Sequence, residues 1–351
     1  MIGSIKTATY VLTAALLTGA VPSAFAAEAD ADFFKDKQMR MIVPTPPGGL
    51  YDSFSRMIAE HMPRHIPGNP QMIVQNMAGA SGLTAANHMA NVAAKDGTTI
   101  AAAHGSTGTA SLFTPNEARF DSGALSWIGS ITKDPFIAYT WHTAPIKTLK
   151  DLETKEGIFG GAAVGSASID FAILARDMFG MKLKIITGYT GGTEVKLAME
   201  RGELHGTFGN GWSSLKTVEP TWLPEKKVQI LTQFGLERHP EMPDVPMFLD
   251  VAKTEADRQA LELILARQEI SRPYYAPPGV PAARLAVLRR AFDATMKDPA
   301  FLATAAKSGA PVDGPMSGEQ VEAIVKRQVS TPPAIVKRIV DMLANFKGSA
   351  K

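Results

Sequence analysis

Three times in this chain a short apolar run gives way to a glycine-rich turn and then to a helix-period segment: at Val43 to Asp52, at Gly160 to Asp170 and at Ile186 to Thr193. This scheme constrains the fold more than any other feature, because strands that feed helices through tight turns build sheets with helices on their faces. Around it, apolar or β-branched runs alternate with helical patterns. Strands are predicted at 39–43, 72–75, 99–103, 126–131, 136–140, 183–187, 204–208 and 228–232. Helices are predicted at 50–62, 81–92, 168–179, 193–200, 254–266, 282–297 and, in two pieces, 318–346. The alternation reads as an α/β protein with largely parallel sheets.

In the first turn Pro46 and Pro47 fix the approach, while Gly48 and Gly49 accept positive φ and let a ligand come close to bare backbone. The amides of Gly49, Leu50 and Tyr51 then converge at the positive end of a helix, a ready anion site, with Asp52 placed to orient them or hold a water. Leu50, Phe54, Met57, Ile58 and Met62 share a face expected to pack on the sheet, and Pro63 ends the helix. A plain corner with a first-turn aspartate is the other reading of the same residues.

In the second turn Ser168 is the expected N-cap, Asp170 sits in the first turn and Gly180 closes the helix. Ser166 and Ser168 hydroxyls with nearby amides offer a grip for a carboxylate; an ordinary capped helix has the same pattern. In the third, Thr193 caps a helix closed by Gly202, and Tyr189 either lines a cleft or packs at the sheet edge. The hydroxyl-rich turn His104 to Thr109, and Asn210 with Trp212, follow predicted strands, whose carboxyl ends are where open α/β sheets bind ligands.

Lys6, an uncharged apolar run and Ala24-Phe25-Ala26 are expected to form a secretory signal peptide, residues 1–26, whose apolar run is short of the roughly 20 residues that a spanning helix needs. A mature chain of about 325 residues has room for two domains or one large α/β unit. Cysteine is absent, which suits a bacterial periplasm, and 45% hydrophobic residues can supply the core. With 36 basic against 34 acidic residues and no charge run, there is no footprint for nucleic acid. No G-x-S-x-G, G-K-[ST] or G-x-G-x-x-G motif occurs. His61 and His65 lack the glutamate of H-E-x-x-H and are expected on the surface; the other histidines show no metal-ligand spacing. No catalytic residue, metal or cofactor is predicted. The rival from another class, an exported α/β hydrolase, needs a nucleophile and base brought together in space.

The segments "IVPTPPGGLYDSFSRMIAEHM", "IVQNMAGASGLTAAN", "VAAKDGTTI", "AVGSASIDFAILARDMF", "GYTGGTEVKLAMERGELHGTF" and "YYAPPGVPAARLAVLRRAFDATMKDPAF" together resemble the substrate-binding proteins of tripartite tricarboxylate transporters, the Bug family. Their order and spacing cover nearly the whole mature chain. The resemblance implies a two-lobed, type II periplasmic binding protein, each lobe a mixed sheet flanked by helices, joined by two hinge strands. It implies a monomer that captures a small organic carboxylate and delivers it to membrane permease subunits, or the same fold serving a membrane signalling partner. By motif position it nominates Pro46, Gly48, Gly49 and Asp52 on one side of the cleft. Facing them it nominates Gly165, Ser166, Ala167 and Ser168, with Tyr189 and Asn210 as wall residues. No cationic side chain is required, since oriented amides satisfy an anion. Departures from the family pattern are Gly165-Ser166-Ala167-Ser168 for G-S-G-T, Asp96-Gly97-Thr98-Thr99 for D-G-Y-T, and Gly209-Asn210-Gly211 where an acidic residue often stands. A neutral Asn210 cannot pair with an ammonium as a carboxylate does. The expected lobes are 36–133 plus 235–351, and the inserted 134–234, with crossings near 134–137 and 231–234; the tail, 318–346, is expected to pack on the first lobe.

Overall fold

The structure, a computed structural model, describes residues 32–350 other than 49, 163, 165, 190, 310, 311, 347 and 348; the expected signal peptide lies outside the described residues. Its strands are β1 (Gln38–Val43), β2 (Gln71–Asn76), β3 (Thr99–Ala102), β4 (Ser126–Ser130), β5 (Phe136–Trp141), β6 (Gly157–Gly160), β7 (Leu183–Thr187), β8 (Gly206–Gly211), β9 (Val228–Phe234), β10 (Pro273–Ala276), β11 (Met316–Ser317) and β12 (Ser349–Ala350). Its α-helices are α1 (Leu50–His61), α2 (Leu83–Asn91), α3 (Ala110–Phe113), α4 (Ala167–Ile173), α5 (Gly192–Glu200), α6 (Trp212–Val218), α7 (Glu255–Glu269), α8 (Ala282–Thr295), α9 (Pro299–Lys307), α10 (Gly318–Val329) and α11 (Pro333–Ala344).

Two six-stranded sheets result, one in the order β11-β4-β10-β3-β1-β2 and the other β12-β7-β6-β8-β5-β9. Both are mixed. In the first, β1 pairs in parallel with β2 and β3, but β10 lies antiparallel between β3 and β4. In the second, β6, β7 and β8 run parallel while β5 is antiparallel to β8 and β9. The expectation of largely parallel sheets fails at these central antiparallel strands. Of them, β10 gives little sequence signal because it starts at a proline and is four residues long.

Strand β1 shows why the first sheet is covered on both faces. Its alternation sends Met39, Met41 and Val43 to one side, into a cluster with Phe54 and Ile58 of α1 and Leu288 and Phe292 of α8. Ile42 points the other way, to Ala85 and Met89 of α2 and Val321 and Val325 of α10. A strand buried on both faces loses the polar alternation that marks a surface sheet. In the second sheet a chain of rings fixes α4: Phe171 stacks on Phe234 at 4.2 Å between centroids, and Phe234 meets Phe248 at 4.8 Å.

Helix α1 departs from expectation at both of its ends. Leu50 is 53% exposed, so the first residue of α1 extends past the sheet that its face was expected to cover. His61 is 3% exposed, with Phe301 of α9 edge-on at 5.7 Å and Thr304 Oγ1 3.3 Å from its Nε2. Helix α9 was not predicted, and it is what buries this histidine; His65, half-buried, pairs with Asp298 at the start of α9.

Sheet membership changes three times along the chain, between β4 and β5, between β9 and β10, and between β11 and β12. The third passage is additional to the two expected. Helix α10 packs on the first sheet, whereas Val336 and Ile339 of α11 join the core cluster of the second and β12 pairs with β7. The tail therefore does not pack on one unit alone. Helix α7 also contributes Leu261, Ile264 and Leu265 to the second sheet's cluster before the chain enters β10 of the first.

The first two passages are tied at one buried carboxylate. Glu269, at the end of α7 and 4% exposed, accepts the Leu236 N–H at 2.7 Å and pairs with Lys133 Nζ at 2.7 Å. Replacing Glu269 with Ala leaves a part-buried N–H without its acceptor and the Lys133 ammonium with only the exposed Glu237 at 3.0 Å, and is expected to lower unfolding free energy by about 3 kcal/mol in urea titration. Glu269→Gln, which keeps an acceptor for Leu236, is expected to cost about half as much; equal, negligible losses for both would remove Glu269 as the tie.

Candidate functional site

The first turn leaves β1 at Val43, and Pro46, Pro47 and Gly48 are exposed, with Gly48 at φ 94° as its glycine identity allows. Gly49 lies outside the described residues. Asp52 turns inward and is 3% exposed. It accepts the Gly48 N–H at 2.9 Å, Arg56 Nε at 2.9 Å and Nη2 at 3.0 Å, and Asn76 Nδ2 at 2.9 Å. Hydrogen bonds from Arg56 above all, then from Asn76 and Gly48, outweigh burial and hold its carboxyl at about 2. Asp52 is thus the brace of the turn. The Gly48 amide, counted among backbone that a ligand approaches, is spent on it.

Tyr51, the next residue toward the cleft, donates its hydroxyl to the Ser271 carbonyl at 3.1 Å and lies 4.6 Å from the His104 ring. Burial pushes the Tyr51 phenol up and the His104 imidazole down, so both are neutral at pH 7. The turn that carries His104 and Ser106 sits against the end of α7: a Cβ on Gly105 would meet the Arg267 carbonyl at 2.6 Å and that of Ile270 at 3.0 Å.

On the opposing side, α4 begins at Ala167 with Ser166 as N-cap, two residues earlier than the Ser168 cap expected. Ser166 Oγ and Ser168 Oγ are 3.2 Å apart, and Ser168 packs on Gly161, where a Cβ would stand 2.4 Å from its Oγ. Gly165 lies outside the described residues. Helix α5 likewise starts early, with Gly191 rather than Thr193 at the N-cap. Tyr189 is 4% exposed in a core cluster with Ile137, Tyr139 and Trp212, which is the packing alternative for that residue. Asn210 has a buried Nδ2 with no hydrogen-bond acceptor among the described residues.

Between these two sides lies a pocket of about 240 Å³, lined by Tyr51, His104 and Ser106 from the first sheet's turns, by Ala167 and Asp170 of α4, and by Arg267 of α7. A neighbouring pocket of about 380 Å³ shares Ser106, Asp170 and Arg267. Ala167 is the nominated residue that lines the smaller pocket. Arg267 was missed, and nothing could have flagged it: one arginine in a helical pattern reads as a solvated side chain. Tyr51 and His104 stand in turns singled out from the sequence without a role. Among the described residues no group of three metal-capable side chains occurs, and no helix is long and apolar enough to cross a membrane.

A family model described as the tripartite tricarboxylate transporter family receptor, TctC, matches residues 54–340. A search of curated proteins returns no match. Among solved structures, a TctC solute binding protein from Polaromonas without ligand aligns at TM-score 0.67 and 19% identity, over 87% of this chain and 98% of that one. A Rhodopseudomonas palustris protein with adipate aligns at TM-score 0.55 and 18% identity, over 88% and 97%. MatC from the same organism with bound malate aligns at TM-score 0.52 and 21% identity, over 87% and 99%.

The Asp52 brace has a pH signature. Its carboxyl titrates at about 2 when folded against an ordinary 3.8, so its stabilisation is complete above 3.8 and is lost as pH falls toward 2. Because Arg56 is half exposed, the expected contribution is on the order of 1 kcal/mol. Urea unfolding of wild type and Asp52→Asn is expected to show a gap at neutral pH that closes as the pH falls through that window; a gap independent of pH would contradict it. Gly105→Ala is expected to push the His104 to Ser106 turn off α7, lowering the melting temperature and weakening ligand binding together.

Proposed function

The chain belongs to the tripartite tricarboxylate transporter receptor family, and on that premise we propose that it captures a small organic carboxylate in the pocket between its two sheets. The observation that carries this reading is the pocket itself. It joins turns at the carboxyl ends of strands in one sheet to the start of α4 in the other, and its lining includes hydroxyl, backbone and cationic donors. Relatives of the same fold are described with malate and with adipate, which sets the chemical class to try first. Of the nominated residues Ala167 lines the pocket; Pro46, Gly48, Gly49, Gly165, Ser166, Ser168 and Asn210 are proposed for the site by motif position, with Asp52 bracing the first turn and Tyr189 supporting the second sheet from its core.

In this reading the two lobes are 36–133 with the returning 235–351, and the inserted 134–234, with α11 and β12 strapped back onto the second. The protein is exported by a cleavable signal peptide, acts in the periplasm as a monomer, and hands its ligand to membrane permease subunits. It binds and releases without catalysis. Closure on a ligand requires that the ligand prefer the closed arrangement, since a ligand shifts two states only by its differential affinity.

Thermal unfolding with malate, adipate, succinate and benzoate tests the ligand class, with arabinose as a neutral control. A true ligand at 100 times its dissociation constant is expected to add about 2.7 kcal/mol of stability. A midpoint raised by arabinose and by none of the acids would end the carboxylate reading.

A further inference from the structure

Arg267 is the most conspicuous side chain in the molecule that the family reading does not use. It comes from the last turn of α7, its side chain is 18% exposed, and it lines both cleft pockets. Its guanidinium lies over the Phe113 ring at 4.2 Å, an arrangement that covers the flat face and leaves the N–H groups pointing outward in the plane. Those groups find no hydrogen-bond acceptor among the described residues, and Nε is fully buried. The nearest charge, Asp170 Oδ2, stands 3.9 Å from Nη1, beyond hydrogen-bond reach. Burial pushes the guanidinium below its ordinary value, and Asp170 recovers part of the loss. A desolvated cation held by a ring but without hydrogen bonds is a costly arrangement for a purely structural role.

We propose that Arg267 is the ionic anchor of the cleft, taking one carboxylate of the ligand edge-on beside the Ser106 turn and Ala167. This rests on the carboxylate reading above and goes beyond it: amide-only binding needs no cation, whereas here a fixed positive charge selects the anionic end of the ligand. Phe113 keeps the fork from turning, and Asp170 steadies it without occupying its donors. The resulting preference is for an acid over its amide, since a carboxylate satisfies two parallel N–H donors and an amide satisfies one.

The test uses the full mature protein with succinate, adipate, malate and benzoate, each against its carboxamide, in wild type, Arg267→Gln and Arg267→Lys. Calorimetry is expected to show the best acid binding wild type and binding Arg267→Gln at least about thirtyfold more weakly. Arg267→Lys, which keeps charge but loses the fork, is expected to fall between them. The acid-over-amide preference is expected to vanish in Arg267→Gln. The unliganded melting temperature is expected to stay level or rise in Arg267→Gln, whereas a structural ion pair with Asp170 would make it fall. Undiminished acid binding by both variants, or a lowered unliganded midpoint with the acid preference intact, overturns the anchor while leaving the carboxylate reading in place. Failure of wild type to bind any of the acids overturns both, and that failure shows before any variant is compared.

Discussion

The buried carboxylate of Glu269 holds the end of α7 to the passage between β4 and β5, through Lys133, and to the beginning of its own passage, through the Leu236 amide. Much of the cleft takes its position from that point. Two residues before it, the Arg267 carbonyl seats Gly105 and with it the His104 and Ser106 turn. Two residues after it, the Ser271 carbonyl receives the Tyr51 hydroxyl. One helix terminus therefore sets the distance between a turn following β3, the first turn of α1 and the pocket between them. Since α7 also buries Leu261 and Leu265 in the core of the second sheet, the geometry of one unit is referenced to the other through a rigid element rather than a loop.

Charge is used in two opposite ways in this cleft. At Asp52, a carboxylate is saturated by Arg56, Asn76 and Gly48, and the result is a fixed turn with little left to offer a ligand. At Arg267, a guanidinium has a buried Nε with no acceptor among the described residues and a ring to hold its plane. Hydrogen-bonded buried charge gives rigidity; unsatisfied buried charge is stabilised only by something that brings an acceptor. The first fixes the turn that carries Tyr51, and the second lines the pocket that Tyr51 also lines.

Much of the architecture was legible from local pattern. Runs such as Met39 to Val43 and Leu183 to Thr187, and the helices they feed, are set by periodicity and turn chemistry within a few residues. The Gly48 conformation and the glycine closing the helical stretch after α4 follow the same logic, with Gly180 at φ 71°. What was misread depended on partners distant in sequence. Helix α9 buries His61 from some 240 positions away, and β10 inserts antiparallel between β3 and β4, so no local periodicity reports either. The cap at Ser166 instead of Ser168 is a smaller error: both serines are good caps by residue type, and in the structure Ser168 lies inside α4, packed on Gly161.

By itself the sequence determined the class of fold, the turns that lead from strand to helix and the kind of receptor, because these are written in short-range spacing and in the serial order of motifs. Only the tertiary structure decided which side chains meet across the cleft. Asp52 turns away from it toward Arg56 and Asn76, Tyr189 sinks into the second sheet's core, and Arg267 arrives from a helix that no motif marks. The physical reason is that a charge or ring acquires its role from the dielectric and the donors around it, and in this chain those surroundings come from four segments far apart in sequence.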